Sequence, residues 1–311
     1  MPVSTPGLHH ITAIGSDPTR NYRFYTDTLG LRLVKQSVNQ DDTSVYHLFY
    51  ADRSGTPGTS MTFFPYPTAN LGQVGTGQAT RVQFLIPDSA TDYWRERLAA
   101  ADVDVAEPFE RFGDTVVQFQ DLDGTPLEFV AREDAPAGDP PAGPVPDEHA
   151  IRGFFGVTLS LASAASTIPL LEAMGYEQTH DSPERTRYRV GDNLGAVVDM
   201  RETPQGPRGR PGAGTLHHVA FTVDDEELPA WRELLQEHGL RPTTVIDRKW
   251  FQSVYARTDG GVLFEFATKA PGYTVDEDLG TLGSRLVLPE WLEAQRADNK
   301  AGLPPLSSPS S

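Results

Sequence analysis

Two identical tripeptides, Leu8-His9-His10 and Leu216-His217-His218, each lead into a short apolar run, and Glu265 stands between two phenylalanines, Phe264 and Phe266. Two histidines and one carboxylate form a donor set that holds a redox-active divalent ion such as Fe(II) while leaving coordination positions open. The 311 residues include no cysteine, which excludes disulfides, thiolate ligands, iron–sulfur clusters and a cysteine nucleophile. Any metal must be held by histidine, carboxylate or other oxygen ligands.

Whether these side chains can meet depends on the elements that carry them. Strand-like runs over residues 10–14, 81–86, 156–161 and 218–223 are each followed by a helix candidate. Start signals precede three of the helices, at Asp17-Pro18, Asp88-Ser89 and Asp224-Asp225. Glycine stops follow three, at Gly30, Gly175 and Gly239; the third helix, with Pro169 near its start, is the weakest. Further strand-like runs follow each helix, the last of them after a glycine turn, over 58–64, 124–130, 195–200 and 261–267. The unit reads βαβββ, four times over.

This predicts an α+β fold in which four βαβββ modules, 7–66, 79–132, 153–201 and 214–268, form two open mixed-sheet barrels. By sequence the chain divides into a first half, 7–132, a proline-rich linker, 133–150, a second half, 151–269, and a C-terminal extension and tail, 270–311. The Pro/Gly/Arg-rich loop 203–214 is expected to be mobile and the Pro/Ser-rich tail 302–311 disordered.

Side chains alternate along a strand. Val219, Phe221 and Val223 should pack on a helix, which turns His218 to the concave face; His10 and Thr12 are placed there by the same test, and so is Glu265, opposite Val262, Phe264 and Phe266. By simple alternation His9 and His217 fall on the helix-facing side, which reads either as burial against backbone or, through a local twist, as a role beside the ligands or the substrate. Aligning the four modules puts Arg81 and Gly156 where His10 and His218 stand, and Thr62, Glu128 and Asp199 where Glu265 stands, at separations of 52, 47, 43 and 47 residues. Pairing modules one and four gives a cavity with His10, His218, Glu265 and the weakly ligating Thr62. The other cavity would hold Arg81, Glu128, Gly156 and Asp199, which reads as a salt-bridged structural site and not a second metal centre.

Composition narrows the partners. With 43 acidic and 26 basic residues the net charge is −17, and the only lysines are Lys35, Lys249, Lys269 and Lys300. No bulk field favours nucleic acid and no polybasic run favours an anionic membrane. No stretch approaches the length of a membrane span and the N-terminus lacks the regions of a signal peptide, so the expectation is a cytoplasmic protein. Homo-oligomerisation is left open.

At these residues the sequence resembles the vicinal oxygen chelate superfamily, which includes glyoxalase I, bleomycin-resistance proteins, fosfomycin-resistance transferases and extradiol dioxygenases. Leu8-His9-His10-Ile11, Phe24-Tyr25 and Leu29-Gly30-Leu31 look like the opening of such a module. The resemblance is closer to dioxygenases that cleave hydroquinone rings, through Tyr46-His47-Leu48, Gly55-Thr56-Pro57-Gly58-Thr59, Met61-Thr62-Phe63-Phe64-Pro65, Asp247-Arg248, Tyr255, the segment 260–265 and Asp276-Glu277-Asp278, and it spans 8–292. It implies iron ligation by His10, His218 and Glu265, in agreement with the facing argument, and places Tyr255 beside the iron.

The function expected is therefore a non-haem Fe(II) dioxygenase that opens a hydroquinone- or catechol-type ring with dioxygen, with Tyr255 or His217 as proton acceptor and His9 and Arg248 as further catalytic candidates. The alternative is a glyoxalase-type isomerase or thiol transferase using Mn(II), Ni(II) or Zn(II), which wants a fourth protein ligand that Thr62 poorly supplies. His47 reads as structural, though within approach of the cavity. Phe84, Trp250 and Phe251 are core aromatics unless they line a ring-binding surface, and Asp276 to Asp278 read as a solvated or capping cluster.

Overall fold

The computed structural model describes residues 3–306; the last part of the expected disordered tail, 307–311, lies outside the described residues. The first module contains β1 (Leu8–Gly15), α1 (Pro18–Arg23), β2 (Arg32–Asn39), β3 (Asp42–Ala51) and β4 (Ser60–Pro65). The second contains β5 (Gln78–Pro87), α2 (Thr91–Ala100), β6 (Phe109–Arg111), β7 (Asp114–Gln120) and β8 (Pro126–Arg132). In the third are β9 (Gly153–Leu161), α3 (Ile168–Ala173), β10 (Glu177–Ser182), β11 (Arg185–Arg189) and β12 (Val197–Glu202). The fourth has β13 (Thr215–Val223), α4 (Leu228–Glu237), β14 (Ile246–Asp247), β15 (Gln252–Arg257) and β16 (Leu263–Thr268), and α5 (Arg296–Gly302) follows in the extension.

Local chemistry explains the elements. Asp17 caps α1 by accepting from the backbone N–H groups of Thr19 and Arg20 at 2.8 and 3.0 Å. The third helix shrinks to six residues around Pro169, as its sequence suggested. Each of the longer helices offers a tryptophan to the sheet beneath it: Trp94 lies on Phe129 with ring centroids 4.6 Å apart, and Trp231 on Phe266 at 4.9 Å. Burying a large apolar side chain stabilises the fold by on the order of 1.5–3 kcal/mol and fixes which sheet face is inside.

The strands form two eight-stranded mixed sheets. One runs β14-β15-β16-β13-β1-β4-β3-β2 and the other β10-β11-β12-β9-β5-β8-β7-β6. Each sheet thus joins one module from each half of the sequence, one with four and two with three, through antiparallel β1–β13 and β5–β9 contacts. The paired modules are those that ligand chemistry required.

Connecting segments are more ordered than their composition suggests. The loop 203–214, expected to be mobile, pairs with 71–76: Gln73 and Arg210 exchange backbone hydrogen bonds of 2.9 and 2.8 Å, and Thr76 N–H donates to Pro207 C=O at 2.8 Å. Those bonds supply partners that a free glycine-rich loop would lack. Likewise the start of the tail is docked: Leu303 is buried, and Tyr46 Oη donates to the Pro304 carbonyl at 2.9 Å. Within the proline-rich stretch, Val145 packs over Gly30, where a Cβ would come within 2.5 Å of a Val145 methyl.

Of the acidic cluster expected to be solvated or capping, Asp278 is exposed but Asp276 and Glu277 form an inward clasp. Lys35 on β2 is fully buried and donates to Asp276 at 2.6 Å, to the buried Glu277 and to the Tyr273 carbonyl at 3.0 Å, while its ammonium lies 5.5 Å from the Trp250 ring. Trp250 Nε1 donates to the second Asp276 oxygen at 2.9 Å. Residues Tyr273, Leu282 and Val287 thereby join Val34, Phe49, Trp250 and Phe251 in a cluster on the concave side of the first sheet. Removing one partner of a buried pair strands the other's charge, at a cost of about 3–5 kcal/mol. Lys35→Met should lower the urea midpoint accordingly, and adding Glu277→Gln should recover part of the loss; an unchanged midpoint in Lys35→Met would show that the clasp is not stabilising.

Candidate metal centre

The central strands β1 and β13 carry matching irregularities. Opposite Phe221 and Ala220 stand Leu8 and His10, which leaves His9 as an extra residue; opposite Thr12 and Ala13 stand His218 and Leu216, which leaves His217 as another. A bulge breaks alternation and lets two successive side chains leave the core face. Leu8 and Ile11, three residues apart, both reach the core, and so do Leu216 and Val219. Both histidines of each pair are then free for the site, so simple alternation, which put His9 and His217 under the helices, fails at this point.

His10 and His218 bring their Nε2 atoms to 3.3 Å, and Glu265 Oε2 lies 3.1 Å from the first and 2.9 Å from the second. All three side chains are buried. Ligands at right angles, each roughly 2.1 Å from a common ion, stand about 3.0 Å apart. The triangle therefore has the dimensions of one face of an octahedron. Glu265 Oε2 has no aligned hydrogen-bond donor, so it is an orphaned buried oxygen unless a cation meets it. The neighbouring imidazoles outweigh the effect of burial and hold the Glu265 carboxyl well below the usual carboxylate range; burial, opposed by Glu265, lowers His218. An ionised carboxylate beside two imidazole nitrogens is a donor set suited to a divalent ion.

The remaining atoms of these ligands are also held. His9 Nδ1 lies 2.9 Å from His10 Nδ1, and His217 Nδ1 lies 2.8 Å from His218 Nδ1. Each first histidine thus meets the back of the second, whose Nε2 faces the centre. Burial, followed by the adjacent His10, pushes His9 down to about 3, so it rests neutral. Glu265 Oε1 accepts from Tyr255 Oη at 2.8 Å and from Ser253 Oγ, which turns Oε2 inward. Ser253 escaped sequence reasoning, although the polar alternation Ser253, Tyr255, Arg257 on β15 was a usable signal. Tyr255 Oη accepts from Arg248 Nε at 3.1 Å, and Arg248 reaches Asp41 at 3.0 Å. Burial, then the Glu265 charge, raises the Tyr255 phenol well above 10. Tyr255 keeps its proton.

Thr62 occupies the position matched to Glu265, since Thr62 pairs with Thr12 on β1 as Glu265 pairs with Ala220 on β13. Its hydroxyl lies 2.7 Å from Thr12 Oγ1 and 3.0 Å from His47 Nε2. Thus a neutral hydroxyl network stands where a fourth ligand would. Phe251 closes the other side, with its ring centroid 5.2 Å from both His9 and His10. Beyond the triad opens a cavity of about 1530 Å³, lined by His47, His217, Phe64, Arg248 and Tyr255 among others. Phe84 is not part of it, being stacked on Phe154 in the core.

The second sheet answers the same positions with arginine. Glu128 is held by Arg111 and by Gln118 at 3.0 Å; Asp199 accepts from Arg187 at 2.8 Å and from Arg185 at 2.9 Å. Its acidic groups are neutralised internally, as expected of a structural site.

Residues 7–129 match the model of the Glyoxalase/Bleomycin resistance protein/Dioxygenase superfamily. The ring-cleaving dioxygenase MhqO of Bacillus subtilis (strain 168) is 42% identical over 98% of both chains. The chain belongs to this superfamily. The chlorohydroquinone/hydroquinone 1,2-dioxygenase of Sphingobium indicum is 34% identical, over 94% of each chain. A crystal structure of a dioxygenase from Bacillus subtilis superposes with a TM-score of 0.94 at 40% identity, covering 98% of both. Glyoxalase I from Zea mays shares the fold alone, with a TM-score of 0.63 at 16% identity over 85% of this chain and 92% of the other.

Partners that orient metal ligands are typically worth about 10–100-fold in metal affinity. Competition against a chelator should show losses of that order for Ser253→Ala and Tyr255→Phe, while folded Glu128→Gln retains wild-type metal affinity. Equal losses in all three variants would show that the effect is not local to the triad.

Proposed function

We propose that the protein is an Fe(II)-dependent dioxygenase that cleaves the ring of a hydroquinone- or catechol-type aromatic. The observation that carries this reading is a buried two-histidine, one-carboxylate triangle whose fourth position is filled by a threonine. The kinship with ring-cleaving dioxygenases supports it. Bound Fe(II) would supply redox chemistry and open positions for dioxygen and a substrate hydroxyl together.

The protein's own groups then have distinct tasks. His10, His218 and Glu265 would hold the ion, and His9, His217, Ser253 and Tyr255 would fix their orientation. Arg248, beside the Tyr255 hydroxyl and lining the cavity, supplies a positive charge toward an anionic ring oxygen. Phe49, Phe64 and Phe251 offer apolar walls to the ring. The balanced reaction consumes one dihydroxybenzene and one dioxygen, places both oxygen atoms in a ring-opened product and breaks a C–C bond next to a hydroxyl. It needs no added organic cofactor. Thr62 argues against a glyoxalase-type centre, in which a fourth protein ligand would be expected in its place.

Anaerobically purified protein should bind about one Fe(II) per chain and consume oxygen in step with ring-opened product when given hydroquinones or catechols. His10→Ala, His218→Ala and Glu265→Gln should each lower both iron retention and turnover by at least about 100-fold. If no phenol drives oxygen uptake in iron-loaded protein, while a methylglyoxal–thiol adduct is converted with Mn(II), Ni(II) or Zn(II), the isomerase reading replaces this one.

A further inference from the structure

The cavity over the triad is larger than a single aromatic ring requires. Its volume is about 1530 Å³, whereas pockets of about 300–1,000 Å³ already hold drug-sized ligands. Its chemistry also changes from place to place. Beside the triad the walls are aromatic, from Phe49, Phe64 and Phe251. Where β15 turns into β16 they are polar and glycine-rich, with Thr76, Gly77, Gly209 and Gly261 beside Arg208 and Arg257.

Two separate segments deliver these arginines to one end of the cavity. Ser253 and Tyr255 on β15 both hydrogen-bond Glu265, so this face of the strand is turned to the site, and Arg257 continues it. Two residues of strand advance about 6.6 Å, which brings Arg257 within reach of a short arm on a ring held at the triad. Arg257 Nη1 donates to the Gly261 carbonyl at 2.7 Å. Gly261 in turn meets Gly77: at its φ of +96° a Cβ would stand 2.9 Å from the Gly77 carbonyl oxygen. Thr76, next to Gly77, pairs with the segment around Arg208, donating to the Pro207 carbonyl at 2.8 Å and accepting from Gly209 N–H at 3.0 Å. The order of the loop 203–214 thereby fixes the backbone that carries the second arginine.

The cavity's third arginine is already committed, since Arg248 binds Asp41 and Tyr255. Among the described residues neither Arg208 nor Arg257 pairs with a carboxylate, although Asp259 lines the same end. The other acidic lining residues, Asp41 and Asp42, stand at the turn from β2 to β3. We infer that Arg208 and Arg257 form a subsite for an anionic arm, so that the substrate is a dihydroxybenzene bearing a carboxylate on a short side chain. This deepens the dioxygenase reading and rests on it. With the ring against the aromatic walls, the arm runs along β15 and its carboxylate meets Nε and Nη2 of Arg257, the nitrogens not used on Gly261. A guanidinium presents such paired donors in the geometry a carboxylate accepts. The chain's net charge of −17 repels anions at long range, so selection of one needs a local pair of cations of this kind.

The test separates binding from turnover. Zinc-loaded protein, whose ion has no redox chemistry, is titrated calorimetrically with hydroquinone, with its ring-substituted acetic, propionic and butyric acids, and with their methyl esters. Iron-loaded protein is assayed for oxygen uptake on the same compounds. At least one acid should bind about tenfold more tightly than its ester and exceed it about tenfold in kcat/KM, the effect of one charge-assisted hydrogen bond. Arg257→Gln and Arg208→Gln should each cut the acid-over-ester preference roughly three- to tenfold and the double variant should abolish it, whereas Arg241→Gln, which removes an exposed arginine outside the cavity lining, should keep it. Acids that bind no better than their esters, or a preference that survives in the double variant, would overturn the subsite. If the arginine-dependent preference is present in zinc-loaded protein but no compound drives oxygen uptake in iron-loaded protein, the dioxygenase reading falls and the subsite stands as part of a different reaction.

Discussion

The antiparallel contact between β1 and β13 is the constraint on which the site depends. It joins strands separated by about two hundred residues, places His10 and His218 beside each other, and orders β16 against β13 so that Glu265 completes the triangle. A fully buried carboxylate is costly unless positive charge or aligned donors meet it. Ser253 and Tyr255 satisfy one oxygen of Glu265; the other has no aligned donor and faces His10 and His218. The pairing of strands and the assembly of the candidate donor set are two expressions of one arrangement.

Two eight-stranded sheets of the same topology carry opposite electrostatics. In one, the concave positions are imidazole, imidazole, carboxylate and hydroxyl. In the other, Arg81, Arg111, Arg185 and Arg187 surround Glu128 and Asp199. Guanidinium groups present fixed donors that match a carboxylate in two places, so the second sheet reaches neutrality without a ligand. The first sheet also differs in its cover. The clasp of Lys35 with Asp276, Glu277 and Trp250 holds the extension beside the residues that contact the metal centre, because Phe251, next in sequence to Trp250, packs on His9 and His10.

Much of this was legible in the residues. The paired histidines, the phenylalanine-flanked glutamate and the βαβββ period pointed to three side chains that the fold brings together, to the repeated module and to the pairing of module one with four, because only that pairing assembles a competent donor set. Apolar periodicity also fixed the helix-facing residues, such as Trp94, Trp231, Phe221 and Phe266, since a strand or helix must bury its apolar side whatever its partner.

Tertiary structure alone decided the rest. The bulges at His9 and His217 follow from how two strands register against each other, and no single strand records its register, so alternation misplaced both residues. The inward turn of Asp276 and Glu277 depends on a lysine some 240 residues away in the chain. Order in the loop 203–214 comes from backbone groups of 71–76, which composition cannot reveal. The link from His47 through Thr62 to Thr12 spans three strands of one sheet. Sequence specifies which atoms can donate, accept or ligate; their distances, and therefore which of those capacities are used, are set by contacts between segments far apart in the chain.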